Sequence, residues 1–503
     1  MGSFELPRGG RGGAPRGRPA GCRRPRHSGR RLGRGLRRTR PKRPPRDGQP
    51  ARHLRPDLWR RRVGDHAGRP GPGPPLQPAQ PALGNLRARG HRPRRLLRRP
   101  DRALRQLCGA PRAARVSRPR SLSVPLCNLR IDLEAIRRNA ARLAELVAPT
   151  SLAVVVKANA YGHGLVPVAQ ALAGRVARFC VYELGEALAL RDAGVTDPIL
   201  VLGPVRREDL DAAHAADLAV TVWDLDFARR AAVTLRRRRT PLAIHAEVDT
   251  GVARLGFRPE QAPAAIAALR ETPELMLEGC FTHLASSEDL DEGFTSLQHR
   301  RFTEAVDGVL PTGAIRHMAA SAAAMMWPET RLDMVRVGIA LYGVWPSHES
   351  RLFLQSRAIH SLHDGDPTAG LLEPAITWTT PIVALREIDN GEPVGYGCTW
   401  RAAHPTRIAT LPLGYAEGLD RGLSNRGSVL VGGRRCPIVG RICMDMCMVD
   451  VTEVPDAHVG QQATLLGRDG AEEITADDLA AWCGTIAYEV LARLPLHLPR
   501  SYS

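Results

Sequence analysis

Short apolar runs alternate with helical stretches from about residue 128 to residue 372. Buried parallel strands are continuous apolar runs, and each needs a crossover connection before the next strand. The alternation therefore predicts an α/β unit of parallel strands, either a closed β/α barrel or a doubly wound sheet. No GxGxxG sequence follows these runs, which counts against a dinucleotide-binding fold. The apolar runs are 152–156, 199–202, 218–222, 242–248, 276–281 and 334–339, and helical stretches include 185–193, 227–237 and 259–270.

A second pattern begins near Leu372, where short apolar runs are punctuated by Gly and Pro. This spacing is typical of a small, mostly antiparallel β domain. One helix is predicted within it, over 475–483. The predicted strands are 382–385, 407–411, 428–431, 446–451 and 463–466. The resulting domain boundaries are 127–372 for the α/β unit and 373–498 for the β domain.

The first 123 residues form a different kind of segment. Residues 1–120 hold 35 of the 72 basic residues and 5 of the 51 acidic ones, so the net charge of +21 comes from this extension. Its Arg-, Pro- and Gly-rich sequence has too few apolar residues to offset the ordering entropy, which predicts disorder. Three interpretations remain open: an Arg-rich arm for nucleic acid, an inert tail, or a start codon assigned too early. Aromatic residues for base stacking are nearly absent, which makes nucleic acid the weakest of these partners.

The sequence also bears on compartment and metal binding. It contains no short apolar stretch of the signal-peptide type and no run near 18 apolar residues, so we expect a cytoplasmic protein without a membrane anchor. The ten cysteines form no CxxC pair. The spacing of Cys443 and Cys447 is weak for zinc. We expect reduced thiols and no metal site.

Lys157 is the only lysine after residue 120, although that part of the chain keeps 36 arginines. A guanidinium stays protonated, whereas a lysine can lose its proton and form a Schiff base. Lys157 follows a buried strand and precedes a Gly-rich turn, where a barrel places its reactive groups. The alternative is a surface lysine that escaped replacement. The position favours a nucleophilic amine.

Several segments together resemble the alanine racemases, enzymes that use pyridoxal phosphate (PLP) and combine a β/α barrel with a β domain. The resemblance runs from about residue 128 to residue 493. The most specific segment is VKANAYGHG at 156–164, which is similar to the cofactor-lysine motif of the family. The others are DTGVARLG at 249–256, THLA at 282–285, VRVGIALYG at 335–343, YG at 396–397, GYAEG at 414–418, GRICMD at 440–445 and TIAYEV at 485–490.

The resemblance implies a (β/α)8 barrel and the interconversion of L- and D-alanine, which supplies D-alanine for peptidoglycan. Lys157 would hold PLP and act as one base, specific for D-alanine. Tyr396 would be the other base, specific for L-alanine, contributed by the β domain of a second subunit in a homodimer. Two bases on opposite faces of the α-carbon can remove a proton from one side and return it to the other. Tyr396 taken alone would more simply be a half-buried strand residue.

The resemblance assigns the remaining site residues as well. His283 would pack on the cofactor ring. Arg254 would contact the phenolic oxygen of the cofactor and lie near the substrate carboxylate. Met444 of the partner subunit would reach that carboxylate through its backbone N–H, and Tyr415 would line the entrance. The phosphate contacts would be Tyr161, Ser321, Gly338, Ile339 and Tyr488.

Arg336 is the residue that the resemblance places against the pyridine nitrogen of PLP. Many PLP enzymes use a carboxylate there, which keeps the nitrogen protonated. An arginine has only donors and stays charged, so the nitrogen should remain unprotonated. Charge would then be less delocalised and protonation at the α-carbon faster, with fewer transamination side reactions. The alternative is an arginine that pairs with a loop carboxylate.

The sequence departs from the family pattern at three places. Glu247 stands where many members carry a carbamylated lysine, and we predict that it supplies the negative charge that orients Arg254. A carboxylate is more often exposed, so the alternative is a loop or surface role. Ala320 stands where asparagine is usual. Residues 494–500 differ from the basic end of the family.

Other function classes can be set against this prediction. A PLP-dependent racemase of broader amino-acid specificity would share the motifs, and substrate breadth separates the two. A non-catalytic PLP-binding barrel would lack the β domain that carries Tyr396. A nucleic-acid-binding protein would depend on the basic extension, so deletion of residues 1–120 would abolish its function but leave racemisation intact.

Overall fold

The computed structural model describes residues 126–359, 368 and 370–503, and the predictions for residues 1–123 lie outside this range. The strands are β1 (Asn128–Ile131), β2 (Ser151–Val155), β3 (Arg178–Val181), β4 (Ile199–Val201), β5 (Ala219–Val222), β6 (Leu242–Glu247), β7 (Leu275–Phe281), β8 (Ile315–His317), β9 (Met334–Val337), β10 (Ile376–Pro381), β11 (Ala384–Ile388), β12 (Pro393–Val394), β13 (Trp400–Arg401), β14 (Thr406–Leu411), β15 (Ser428–Val431), β16 (Arg434–Pro437), β17 (Cys447–Asp450), β18 (Gln462–Asp469), β19 (Glu472–Ile474) and β20 (Arg500–Tyr502). The helices are α1 (Leu133–Val147), α2 (Lys157–Tyr161), α3 (Leu165–Leu172), α4 (Leu184–Asp192), α5 (Leu210–Ala215), α6 (Leu225–Leu235), α7 (Ala262–Arg270), α8 (Gly293–Val306), α9 (Ser321–Met326), α10 (His348–Ile359), α11 (Ala476–Cys483) and α12 (Ala487–Ala492).

Strands β2 to β9 form one eight-stranded parallel sheet in the order β8-β7-β6-β5-β4-β3-β2-β9. The sheet closes between its first and last strands, because Arg336 N donates to Ala319 O at 2.9 Å and Asp333 N donates to Arg316 O at 3.1 Å. The result is a β/α barrel, as the resemblance implied. Closure places the carboxyl ends of all eight strands around one opening, where barrel enzymes carry their sites.

The helices outside the barrel follow the sequence signals. Asp132 caps α1 by accepting from Ala135 N at 2.8 Å, and Asp224 caps α6 by accepting from Phe227 N at 2.6 Å. Each side-chain acceptor satisfies an N–H that the first turn of the helix leaves unpaired. The buried face of α1 includes Ile136 and Leu143, as its apolar spacing predicts.

The second domain is built from antiparallel ladders. The largest sheet runs in the order β16-β15-β18-β10-β1-β20, and a three-stranded sheet joins β11, β14 and β17. The first strand of the described chain, β1, therefore lies outside the barrel, although the predicted boundary at residue 127 grouped it with the α/β unit. It pairs antiparallel with β10 and parallel with β20, so both ends of the described chain meet in the second domain.

Two barrel strands were absent from the sequence prediction, β3 and β8. Both strands are short, and each contains an arginine. Arg178 is the first residue of β3, and Arg316 is the central residue of β8. Such residues interrupt the continuous apolar run on which the prediction rests. The six predicted runs all became barrel strands, with bounds shifted by one or two residues.

Candidate active site

A cavity of about 950 Å³ opens at the carboxyl ends of the barrel strands. Its lining also includes residues of the second domain, among them Ile486. Most of the residues predicted from the sequence lie on this wall together. They are Lys157, Tyr161, Glu247, Arg254, His283, Ser321, Arg336, Gly338, Ile339 and Tyr488.

Lys157 lies directly after β2, at the start of an unusual turn. Residues 158–161 are not glycines, yet all have φ between 51° and 54°, a left-handed conformation. Each such residue costs about 1–2 kcal/mol, and strain of this kind concentrates at functional sites. Burial lowers the pKa of Lys157, and the charge of Arg254 lowers it further. A lowered pKa favours the neutral amine that a nucleophile or base requires.

Glu186 holds the turn after Lys157 in place. Its carboxylate accepts hydrogen bonds from Ala158 N at 2.7 Å, from Tyr182 N at 2.9 Å and from Glu183 N at 3.2 Å. The first of these bonds joins the lysine segment to the start of α4. Charge-assisted bonds to backbone N–H groups can offset part of the strain in the turn.

A small cradle of hydroxyl and backbone groups lies beside the lysine. Ser321 Oγ accepts from Gly338 N at 3.0 Å and from Ala340 N at 3.5 Å. A Cβ at Gly338 would meet the Tyr161 hydroxyl at 2.5 Å, so a larger residue there would displace the Tyr161 side chain. Burial raises the pKa of Tyr161 to about 12, which keeps its hydroxyl a donor. Converging hydroxyl and backbone donors suit a phosphate group.

Tyr488 reaches the cavity from the second domain and bonds to the barrel. Its hydroxyl donates to Glu288 Oε1 at 3.0 Å. Its ring centroid lies 6.4 Å from that of Tyr161. Burial raises the pKa of Tyr488, and the carboxylate of Glu288 raises it further. The two tyrosines therefore stay protonated on the same wall.

Arg336 is buried at the floor of the cavity and surrounded by acceptors. Nη1 donates to His317 Nδ1 at 2.6 Å, and Nη2 donates to Thr282 O at 3.0 Å and Met318 O at 3.3 Å. Burial lowers its pKa to about 10, so the guanidinium remains charged at neutral pH. No ion pair within the described residues includes Arg336, which removes the support for a loop-carboxylate role. Burial also lowers the pKa of His283 to about 3, so the ring beside Arg336 is neutral.

Glu247 and Arg254 lie close together at the end of β6. Arg254 Nη2 is 3.8 Å from Glu247 Oε1, an ion-pair separation that is too long for a hydrogen bond. Asp249 shapes the loop between them by accepting from the backbone N–H groups of residues 251–253 at 3.1, 2.9 and 3.0 Å. Burial raises the pKa of Glu247 to about 7, against the lowering effect of Arg254. Glu247 is buried rather than exposed, contrary to the surface alternative.

Three predicted residues lie away from the cavity, on the surface of the second domain. Tyr396 begins a short 3-10 turn between β12 and β13 and is 71% exposed. Met444 is 56% exposed and Tyr415 is 44% exposed. Tyr396 is therefore not a half-buried strand residue.

Sequence reasoning missed two contacts of the site, Glu186 and Glu288. Glu186 occupies the third position of α4, where a capping-box pattern with Glu183 signals a side chain that bonds to backbone N–H groups. Glu288 had no such signal, because its partner Tyr488 is distant in sequence. Ala320, where the family usually has asparagine, also lines the cavity.

The cavity has the chemistry that PLP would require. An amine of lowered pKa lies beside a donor cradle for a phosphate, and two further cations, Arg254 and Arg336, would face an anionic ring. Arg336 is a buried cation without an ion-pair partner among the described residues, which favours an anionic ligand. The residue types that line the cavity therefore fit such a cofactor.

Comparison with known families gives matches to both halves of the described chain. Residues 131–346 match the N-terminal domain of alanine racemase, and residues 375–502 match its C-terminal domain. The alanine racemase of Desulforamulus reducens is 40% identical over 378 residues, which cover 74% of this chain and 97% of that protein. The alanine racemase of Methanococcus maripaludis is 38% identical over 381 residues, with coverage of 74% and 97%.

Solved structures give the same result. An alanine racemase from E. faecalis has a TM-score of 0.69 and 36% identity, covering 75% of this chain and 98% of that one. The Bacillus anthracis alanine racemase with bound L-Ala-P has a TM-score of 0.67 and 34% identity, covering 76% and 95%. Among the described residues, no helix has the length and apolar character needed to span a membrane, and no cluster of three or more His, Cys, Asp or Glu side chains could hold a metal ion.

Proposed function

The chain belongs to the alanine racemase family, and on that premise we propose that it interconverts L- and D-alanine with PLP held on Lys157. The observation that carries the proposal is the cavity itself. It combines a half-buried amine of lowered pKa with the cradle of Tyr161, Ser321 and Gly338. When bound, PLP would supply an electron sink that acidifies the proton on the α-carbon.

Lys157 acts in this proposal both as the anchor and as the base on one face of the substrate. Its lowered pKa supports both roles, because burial favours the neutral form of the amine. The same residue can therefore accept the α-proton of D-alanine and return it. General bases work best when their pKa lies near the working pH.

Tyr396 of the partner subunit is the base on the opposite face, specific for L-alanine. Within one chain Tyr396 lies outside the cavity, as do Tyr415 and Met444, and all three are exposed. A head-to-tail homodimer would bury these side chains over the open mouth of the partner's barrel and give two composite sites. Met444 of the partner subunit would then offer its backbone N–H to the substrate carboxylate, and Tyr415 of the partner subunit would line the entrance.

The remaining wall of the cavity would hold the cofactor. His283 would pack against the ring, and Arg336 would donate to the ring nitrogen, which would stay unprotonated because a guanidinium has no acceptor. Arg254 would contact the phenolic oxygen, and Glu247 would supply the negative charge that orients Arg254. The phosphate would be bound by Tyr161, Ser321, Gly338, Ile339 and Tyr488.

We further propose that the reaction supplies D-alanine for peptidoglycan in the cytoplasm. The eight cysteines in the described part of the chain are all free thiols, as expected of a protein kept in a reducing compartment.

The test uses the full chain supplied with PLP. L-alanine should lose its optical activity and yield D-alanine, measured by chiral chromatography, and borohydride reduction should leave a pyridoxyl group on Lys157, located by mass spectrometry. A panel of L-serine, L-lysine and L-arginine measures substrate breadth. Absence of racemisation in PLP-loaded protein, or a pyridoxyl group on another residue, would contradict the proposal.

A further inference from the structure

A continuous line of polar side chains crosses the inside of the barrel beneath the cavity. His317 Nε2 lies 2.8 Å from His245 Nδ1, and His245 Nε2 lies 3.1 Å from Glu278 Oε2. Arg178 Nη2 donates to Glu278 Oε1 at 2.5 Å. With the bond from Arg336 Nη1 to His317 Nδ1, the line joins the floor of the cavity to the first residue of β3.

A bulge in β7 places the carboxylate in this line. Residues pair as Ile244 with Leu277 and then as His245 with Gly279, so Glu278 is an extra residue on its strand. Bulges interrupt the strict alternation of a strand and re-aim a side chain. The neighbouring Gly279 is also required, because a Cβ there would meet His245 Nδ1 at 2.4 Å.

The donors of Arg336 at one end and the carboxylate of Glu278 at the other favour the same direction for every bond in the line. A guanidinium has only donors, so His317 Nδ1 must be an acceptor and the proton of a neutral ring lies on Nε2. His317 Nε2–H then donates to His245 Nδ1, and His245 Nε2–H donates to the carboxylate of Glu278. Burial lowers the pKa of both histidines, which keeps both rings neutral.

Glu278 is the acceptor that makes this direction stable. Although burial raises the pKa of Glu278, the hydrogen bonds from His245 and Arg178 bring it down to about 2, so the group is a carboxylate at neutral pH. With the opposite tautomers, His317 would present Nδ1–H to a guanidinium N–H at 2.6 Å. Two donors at that distance repel each other and would displace Arg336.

We propose that Glu278 and His245 are positioning residues that act through His317 to hold Arg336 as a donor directed at the cofactor ring. The proposal rests on the function given above, because it concerns how Arg336 is presented to PLP. All hydrogen bonds in the line run in one direction. The acceptor at Glu278 therefore determines the tautomer of His317, beside Arg336. Outer-shell partners of this kind commonly affect activity about 10- to 100-fold when they are removed from metal sites.

The first test reads the histidines directly in the full-length, PLP-loaded protein. Long-range ¹H–¹⁵N spectra of histidine-labelled protein distinguish the two tautomers, and substitution of His245 and His317 by Gln, one at a time, assigns the two signals. We expect both rings as Nε2–H. An Nδ1–H tautomer or a charged ring at either position would overturn the proposal without any need for a Glu278 variant to fold.

The second test is Glu278→Gln. Arg178 is a charged donor that cannot change, so the amide oxygen of Gln turns to Arg178 and the NH2 group turns to His245. Both histidines should then switch to Nδ1–H, and kcat for L-alanine should fall about tenfold while KM changes by less than about twofold. An unchanged His317 tautomer in this variant would contradict the proposal.

Two controls distinguish an effect of hydrogen-bond direction from a general loss of local structure. In the double variant Glu278→Gln with Arg178→Met, the amide oxygen is free to face His245, so Nε2–H tautomers and most of the lost kcat should return. Glu271→Gln, at an exposed position just before β7, should change neither tautomers nor kcat. A double variant as impaired as the single one would indicate a merely structural role.

Wild-type protein without PLP on Lys157 or without racemisation would instead refute the proposed function, independently of the tautomers.

Discussion

The predicted site residues of the two domains differ in how deeply they are buried. On the barrel, Lys157 and Arg336 lie in a cavity, where burial lowers their pKa values, and hydrogen bonds hold Arg336 in place. On the second domain, Tyr396 and Met444 lie on the surface, 71% and 56% exposed. The barrel half is organised within one chain, whereas in the proposed homodimer Tyr396 and Met444 would gain their surroundings from the partner chain.

This difference in burial predicts two kinds of contribution to the activity. Residues on the barrel should determine whether the cofactor binds, because their contacts are already present in one chain. Tyr396 and Met444, on the surface of the second domain, should leave cofactor binding nearly intact and affect the reaction on the substrate. Each substitution below tests whether a residue affects cofactor binding or proton transfer.

The largest effect is expected for Lys157→Ala. Loss of the amine removes both the anchor and one base, so racemisation should fall by at least about 10⁴-fold and the absorption band of bound PLP should disappear. Absorption spectroscopy and a racemisation assay measure the two losses. Lys42→Ala is a matched control, because Lys42 is the only other lysine of the sequence. Normal spectrum and rate in Lys157→Ala would remove this residue from the site.

Tyr396→Phe should have the next largest effect and should leave the PLP spectrum unchanged. Loss of one base should lower α-proton exchange about 10²- to 10⁴-fold. Exchange is followed by NMR in deuterated water, and the loss should be greater from L-alanine than from D-alanine. Equal losses from both enantiomers would contradict the assignment of Tyr396 to one face.

Glu247→Gln should have the smallest effect, and that effect should depend on pH. Glu247 has its pKa raised to about 7 by burial, so the carboxyl is neutral below that value and charged above it. Wild type and variant should have similar kcat/KM near pH 6. At pH 8.5 the variant should be about three- to tenfold slower, as expected for the loss of part of a charge-assisted contact. Bicarbonate should not restore activity, and equal rates at both pH values would show that the charge has no role.

The same substitution predicts a change in stability of the opposite sign. A carboxyl with a raised pKa in the folded state favours folding while it is protonated. That contribution is complete below the unfolded pKa of 4.5 and is lost as the pH rises through about 7. Ligand-free Glu247→Gln should therefore gain stability relative to wild type between pH 5 and pH 8, on the order of 2 kcal/mol in urea unfolding. A difference independent of pH would show that Glu247 is not titrating in this range.

The sequence predicted the parts of the site that local patterns carry. Lys157 and Arg254 follow predicted strands and Arg336 lies within one, and closure of the barrel brings them to one opening. The pairing of β1 with β10 and β20 was not predictable, because strand partners distant in sequence leave no local signal. The same reason hid the bond from Tyr488 to Glu288 and the inward turn of Glu278, which depends on a bulge opposite His245.

A subunit-mixing experiment tests the central claim, that the two halves of the site come from different chains. Lys157→Ala and Tyr396→Phe proteins, each inactive alone, are mixed under conditions of subunit exchange, and the heterodimer is isolated with two different affinity tags. One of its two sites should then combine an intact Lys157 with an intact Tyr396 of the partner subunit, so about half of the wild-type activity per dimer should return if sites act independently. Verified heterodimers that remain inactive, or a fully active wild-type monomer, would contradict a shared site.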